Sequence, residues 1–340
     1  MIKTQVFKLF SWCIPVNGAK RNVLCDLERS ELYYIPEGIY EVLTKHSNKT
    51  IEQIKAIYNN EIDDLIDKHF SYLLEKELGF MTNEPEKFPE IDLTWESPEL
   101  ITNAIIEINA ETSYDLKKVV SSLEMIGCRF IEVRNYSKIP LDSLKKQIAT
   151  FDETKFSNLV IFAPYDYSFE NFDWDFLLLT YQRLGTIIIH SCPNDHKIKT
   201  VSERVLCVNK TINDNSCCGI VSQDYFMINK PMYLESLGSN SCLNRKLTIG
   251  VNGDIKNCPS LSVKHGKIQE ISNASLVNII NSSEFQQLWK ITKDQIDICK
   301  DCEFRYICTD CRAFLKNPNN IYSKPLKCNY DPYKAVWKDQ

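Results

Sequence analysis

Glycine is scarce in this sequence, with 10 among 340 residues. There is no Gly-rich phosphate loop, and so few glycines leave few loops with the backbone freedom to cradle a phosphate. No apolar run reaches the length needed to span a bilayer, so no membrane partner is expected. An excess of basic residues is also missing: the net charge is −5, which argues against a nucleic-acid partner. A secretion signal is not expected either. The N-terminal VFKLFSWCIPV is apolar but short, is broken by Lys8, lacks a small-residue cleavage site and is followed by a strand pattern, so it reads as structure. Charged residues make up 25% and hydrophobic ones 44%, ordinary values for a globular protein. The length sets an expectation of two or three domains.

Cysteine is abundant. Fourteen are present, and without an export signal they point to a reducing cytoplasm and to metal rather than disulfides. Seven lie in the last hundred residues. Cys242 is followed by ten residues and Gly253, and GDIKNC ends at Cys258. About forty residues on, CKDCEFRYICTDC places Cys299, Cys302, Cys308 and Cys311 at spacings x2, x5 and x2, and Cys328 closes the set. A CxxC turn points two sulfurs at one centre while backbone N–H groups face the same centre. Zinc and iron–sulfur clusters both use four-cysteine sites. A zinc ribbon would carry two CxxC pairs some 15–20 residues apart. Here the pairs are split by x5, and there are more thiols than one tetrahedral zinc needs.

This pattern resembles the SPASM domain, the C-terminal auxiliary-cluster domain of radical SAM peptide-modifying enzymes. The family has x3 where this chain has x2 between Cys308 and Cys311. The resemblance implies one [4Fe–4S] cluster on Cys299, Cys302, Cys308 and Cys328. It implies a second on Cys242, Cys258 and Cys311, one thiolate short. The count is therefore one or two clusters, with zinc on four of these cysteines as the alternative.

Residues 1–85 read as a small module. VFKLF and RNVLCDL are strand-like and joined by PVNGAK, with Asn17-Gly18 as the turn. SELYYIP is a third strand. Helices follow in EGIYEVLTKH, in TIEQIKAIY with Thr50 as N-cap, and in IDDLIDKHFSYLLEKE, before a short strand GFMT. That outline is a winged helix. DLERSELYYIPEGIYEVL, TIEQI and LLEKELGFM resemble the PqqD-type recognition element of peptide natural-product systems. The resemblance implies a precursor leader added as a strand to an edge in the 22–35 hairpin, with Tyr33, Tyr34 and Tyr40 near it. A DNA-binding winged helix is disfavoured, because the third helix carries Asp63, Asp64 and Asp67.

Residues 86–99 form a Pro- and acid-rich linker. Residues 100–230 hold βα repeats: LITNAIIEINA, RFIEVRN, NLVIFAP, TIIIHS and RVLCVNK as strands, separated by YDLKKVVSSLEMI, LDSLKKQIAT and DFLLLTYQRL as helices. Alternation implies a parallel sheet, either a partial barrel or an open sheet. The fold class expected is thus α/β and multi-domain, with a winged-helix module, a partial (βα) barrel-like middle and a Cys-rich iron–sulfur domain at 231–340. Radical SAM enzymes carry Cys-x3-Cys-x2-Cys after their first barrel strand. That spacing is absent here, and AETSYD, after the first expected strand, has no cysteine. The middle resembles a radical SAM barrel reduced in size and lacking that cluster. The whole arrangement is similar to the SPASM-domain maturases of grasp-with-spasm systems, which accompany an ATP-grasp ligase and a precursor peptide.

Three readings stand: a peptide maturase, a non-catalytic scaffold that delivers peptide to the ligase, and a zinc- or iron–sulfur-stabilised binding protein. His190, Cys192 and His196 are a lesser candidate site just past a strand. One of the vicinal pair Cys217-Cys218 is a candidate to complete the three-thiolate cluster. Cys13, Cys25, Cys128 and Cys207 read as small buried hydrophobes.

Overall fold

The computed structural model describes residues 5–198 and 200–338. The elements in chain order begin with strands β1 Val6–Leu9, β2 Cys13–Val16, β3 Asn22–Asp26 and β4 Glu31–Ile35. Helices α1 Glu37–Lys45, α2 Ile51–Ile57 and α3 Asp63–Glu75 follow, and then β5 Gly79–Thr82. Next come β6 Asn103–Ile108, α4 Leu116–Met125, β7 Phe130–Asn135, α5 Leu141–Ala149, β8 Asn158–Pro164, α6 Trp174–Thr180, β9 Leu184–His190, β10 His196–Lys197 and β11 Val205–Val208. The last part holds α7 Lys230–Gly238, β12 Lys246–Ile249, β13 Ile255–Lys256, α8 Asn273–Ile280, β14 Tyr330–Asp331 and β15 Val336–Trp337. No helix among the described residues is long and apolar enough to cross a membrane.

Two compact units result, and neither is one continuous stretch. The first takes the residues up to Trp95, Gly219–Ser241 and everything from Ile291 on; the second takes Glu96–Cys218 and Cys242–Lys290.

In the first unit β2, β3 and β4 form an antiparallel sheet with β3 in the centre. Every residue of β3 is buried, because alternate side chains of a strand face opposite sides and both sides are covered. Leu24 and Cys13 join Ile39, Val42, Phe70 and Leu73 of the helices. Val23 and Cys25 join Phe304, Ile307, Cys308 and Tyr330. The cysteine-rich segment is therefore the second floor of the N-terminal sheet. Helix α2 starts as expected, with Thr50 and Gln53 in a reciprocal capping box, which satisfies two N–H groups that the first turn leaves without partners.

The strand order departs from the expectation in one respect. The strand before the 17–21 turn is CIPV, not VFKL. VFKL pairs instead with GFMT, as a separate two-stranded sheet in which Leu9 opposes Gly79. The chain turns back between them: the Cys13 amide donates to the Phe10 carbonyl at 2.9 Å. Gly79 is required at that crossing, since a Cβ there would stand 2.3 Å from the Lys8 carbonyl oxygen.

The second unit is mixed α/β, built on an eight-stranded sheet in the order β10-β11-β9-β8-β7-β6-β12-β13. Strands β6, β7, β8, β9 and β11 run parallel, as the alternating pattern predicts, and β12 runs parallel to β6. Strands β10 and β13 are antiparallel additions at its ends. One face is apolar: Ala104, Ile106, Ile131, Val133, Leu247 and Ile249 pack with Val119, Leu123 and Leu144 of the helices. The residues between them point to the other face and include Glu107, Glu132, Arg134 and Lys246.

Candidate metal centres

In the first unit the dense cysteine run starts on a strained turn. Ile298 sits at φ 68°, a conformation that costs a β-branched residue about 1–3 kcal/mol. The 3-10 turn Cys299–Asp301 follows, and the Cys302 amide donates to the Cys299 carbonyl at 3.0 Å. Cys328 is brought in from the chain end by a bridge to Val221.

A buried lysine organises these thiols. Lys293 is 4% exposed. Its Nζ lies 3.7 Å from Cys308 Sγ, 3.4 Å from the Thr309 carbonyl and 3.6 Å from Asp310 Oδ1. Burial works against the ammonium, but Cys308, Cys299, Asp310 and Cys328 outweigh it and hold Lys293 above its ordinary value. Burial pushes the Cys299 thiol up to about 11, against the pull of Lys293, and it raises Cys302 and Cys308 as well. These thiols are therefore protonated at neutral pH unless something cationic joins Lys293. A metal that binds them must displace protons.

The frame around them is polar and long-range. Arg312 Nη2 donates to Asp310 Oδ1 at 2.7 Å, and its Nη1 donates to the Ile321 and Ser323 carbonyls at 2.9 and 2.8 Å. Asn240 Nδ2 donates to Asp310 Oδ2 at 2.7 Å. Glu303, also buried, accepts from Arg21 at 2.6 Å and from the Tyr330 hydroxyl at 2.5 Å. This last group ties the cysteine run to the N-terminal sheet. Cys311 is buried in the same unit, with Gly219 so close that a Cβ there would stand 2.8 Å from its Sγ.

In the second unit the Cys-x10-Gly-x4-Cys motif is a hairpin. Strands β12 and β13 pair Thr248 with Lys256 and Ile249 with Ile255. Gly253 closes the turn at φ 78°, and its amide donates to the Gly250 carbonyl at 2.8 Å. Asn257 Nδ2 ties the open end by donating to the Leu243 and Lys246 carbonyls at 2.9 and 2.7 Å. Cys242 and Cys258 therefore flank the same end. Lys246 Nζ lies 3.6 Å from Cys242 Sγ. Burial opposes this ammonium too, and Cys242, Cys258 and Glu132 outweigh it.

Cys299, Cys302, Cys308 and Cys328 form no disulfide. No group of three or more His, Cys, Asp or Glu side chains among the described residues is gathered as a single ion requires. The fit to a metal group rests on the thiols' shared cation and on their chemistry. Cys299, Cys308 and Cys328 act on one buried ammonium, and with Cys302 on the same turn as Cys299 they offer the four-thiolate donor set of an iron–sulfur cluster.

The remaining sequence candidates divide. His190 and His196 are not brought together: His190 is buried and hydrogen-bonds the Asn135 carbonyl at 3.1 Å, whereas His196 is exposed on β10. Burial lowers His190, which suits a neutral core histidine. Cys13, Cys25, Cys128 and Cys207 are all buried, and burial pushes each thiol up to about 12. Tyr33 and Tyr40 pack on the helix side of the N-terminal sheet. Tyr34 is on the other side, exposed, under the Arg21 guanidinium at 4.1 Å. The three tyrosines do not share one face.

Lys293, Lys246, Arg134 and Glu132 went unread in the sequence. The signal for the last two was present: in RFIEVRN the charges fall two apart, on one face of a strand otherwise suited to burial.

Residues 241–303 match the SPASM family, described as an iron–sulfur cluster-binding domain. No curated protein matches the chain. Among solved structures, the crystal structure of Streptococcus suis SuiB bound to precursor peptide SuiA aligns at 10% identity with a TM-score of 0.30, covering 92% of this chain and 95% of that one. A score of 0.30 is too low to establish a shared fold.

Proposed function

We propose that this chain is a maturation protein for a ribosomally synthesised peptide. It binds the precursor's leader through residues 1–85, a PqqD-like winged-helix module, and carries [4Fe–4S] clusters on its C-terminal cysteines. It acts with an ATP-grasp ligase in the cytoplasm. Cys299, Cys302, Cys308 and Cys328 hold one cluster, and Cys242 and Cys258 belong to the other. Bound clusters of this kind supply one-electron transfer.

The observation that carries this reading is the set of thiols around buried Lys293, whose Nζ lies 3.7 Å from Cys308 Sγ, in a chain whose residues 241–303 match SPASM. The leader part is supported by the sheet edge. Strand β4 pairs only with β3 among the described residues. An edge strand offers unpaired backbone groups to an incoming extended peptide.

A second reading is favoured by one sequence fact. Cys-x3-Cys-x2-Cys is absent, and the 109–115 loop after β6 has no cysteine. A scaffold that presents peptide to the ligase and performs no chemistry itself needs no such motif. Calorimetric titration with the leader peptide encoded beside the gene tests the shared claim. Saturable binding is expected, and no heat above background contradicts it. Ligase turnover of the precursor with and without this protein separates the two readings: equal turnover removes the scaffold role.

A further inference from the structure

The N-terminal module holds a cavity apart from the leader's edge. It comes from the turn between β1 and β2. These strands are neighbours in sequence but belong to different sheets, β1 with β5 and β2 with β3. A cavity of about 300 Å³ lies between the two arms, and the last turn of α1 lines it as well. All its lining residues belong to the first unit. Strand β4, the edge offered to a leader, is not among them.

Its floor is apolar. Phe7, Cys13, Val42, Leu43, Ile54 and Phe70 line it and are buried in one core cluster. The more accessible lining residues differ: Lys8 and His46 are half-buried, and Lys49 and Glu90 are exposed. Neither lysine has an ion-pair partner among the described residues. Nδ1 of His46 is buried without a hydrogen-bond partner, which is costly for a polar atom. An apolar floor beneath uncompensated cations and a few polar groups is the chemistry of a small-ligand site. It suits a hydrocarbon that ends in an anion. The carbonyl end of α1 repels an anion, so the charged end belongs at the lysines and not at the helix.

An added peptide strand fits poorly here. Pro15 has no N–H, and the Cys13 amide already donates to the Phe10 carbonyl at 2.9 Å. Two of the four residues of β2 therefore offer an extended peptide no donor, and the edge is blunted. The last wall is Ile91 and Leu93, in the segment that leads out of the module. A bound hydrocarbon would cover both.

We propose that this cavity binds a small amphipathic carboxylate. Its hydrocarbon rests on Phe7, Val42, Leu43 and Phe70, and its carboxylate meets Lys8 and Lys49. The claim is independent of the peptide-maturation reading.

Calorimetry on the full chain tests it with hexanoate, octanoate and 1-octanol. Octanoate is expected to bind saturably and about tenfold more tightly than hexanoate, the gain from burying two more methylenes. Octanol is expected to bind about tenfold more weakly than octanoate, for want of a charge-assisted contact. The double variant Lys8→Met/Lys49→Met is expected to remove that difference and leave octanol binding as it was. A second measurement needs no variant: Glu-C digestion of the wild type, read by mass. Octanoate is expected to slow cleavage after Glu90 several-fold and to leave cleavage after Glu86, outside the cavity, unchanged. No saturation by octanoate, equal affinity for octanoate and octanol, or unprotected Glu90 overturns the proposal. Displacement of octanoate by the leader peptide also overturns it, since the cavity would then be part of the leader's own site. A leader that fails to bind at all counts against the peptide-maturation reading alone.

Discussion

The two groups of thiols meet their cations on different kinds of scaffold. Around Lys293 the cysteines come from tight turns and a distant chain end, and the frame is side-chain hydrogen bonding through Asp310, Arg312 and Asn240. Around Lys246 they come from the two ends of one hairpin, and the frame is the backbone of an eight-stranded sheet. The first arrangement depends on contacts between residues far apart in sequence; the second depends on a single turn. In both, burial opposes the lysine's charge, and the neighbouring carboxylate, joined by the sulfurs once they are ionised, favours it.

The comparison is broken most directly at a ligand. Cys308→Ala should remove the cluster of the first unit, about four irons of an expected eight, and leave the signal of the other intact. Cys25→Ala, a few residues from it in space within the same core cluster, should leave iron unchanged. Equal losses in the two variants would mean that iron loss reports unfolding and not ligation.

The next effect is on redox poise. Lys293 touches thiol sulfur and is almost fully buried, so it favours the reduced, more negative cluster. Lys293→Met should lower the reduction potential by about 60 mV or more, a tenfold change in a one-electron equilibrium. Lys246→Met should lower the other centre's potential by less, because Glu132 already offsets that ammonium. A redox titration followed by EPR reads both.

The smallest effect is on stability. At Gly253, φ is 78° and an added Cβ would stand 2.0 Å from Gln269 Oε1. Gly253→Ala should cost about 1–3 kcal/mol, read by denaturant unfolding, and should weaken the Lys246 centre while sparing the Lys293 centre.

What was legible in the sequence is what local chemistry dictates. The Thr50 capping box, the strand alternation of NLVIFAP and the need for a glycine between Cys242 and Cys258 all act over a few residues. The parallel sheet followed from strands alternating with helices. Three features were hidden for one physical reason, which is that their partners are distant. Val6–Leu9 looked like the first arm of a hairpin but closes with a strand more than seventy residues later. Lys246–Ile249 sits among the cysteines in sequence yet extends the sheet beside β6. Glu303 finds Arg21 across 282 residues. Spacing marked the cysteines as candidate ligands, but nothing local marked Lys293 as the cation beside them.

The central claim is that these cysteines hold iron–sulfur clusters. Iron, acid-labile sulfide and zinc should be measured together on anaerobically purified protein. The account predicts about eight irons and a matching amount of sulfide per chain, the content of two [4Fe–4S] clusters. Stoichiometric zinc without sulfide would contradict it and leave the cysteine region a structural clasp.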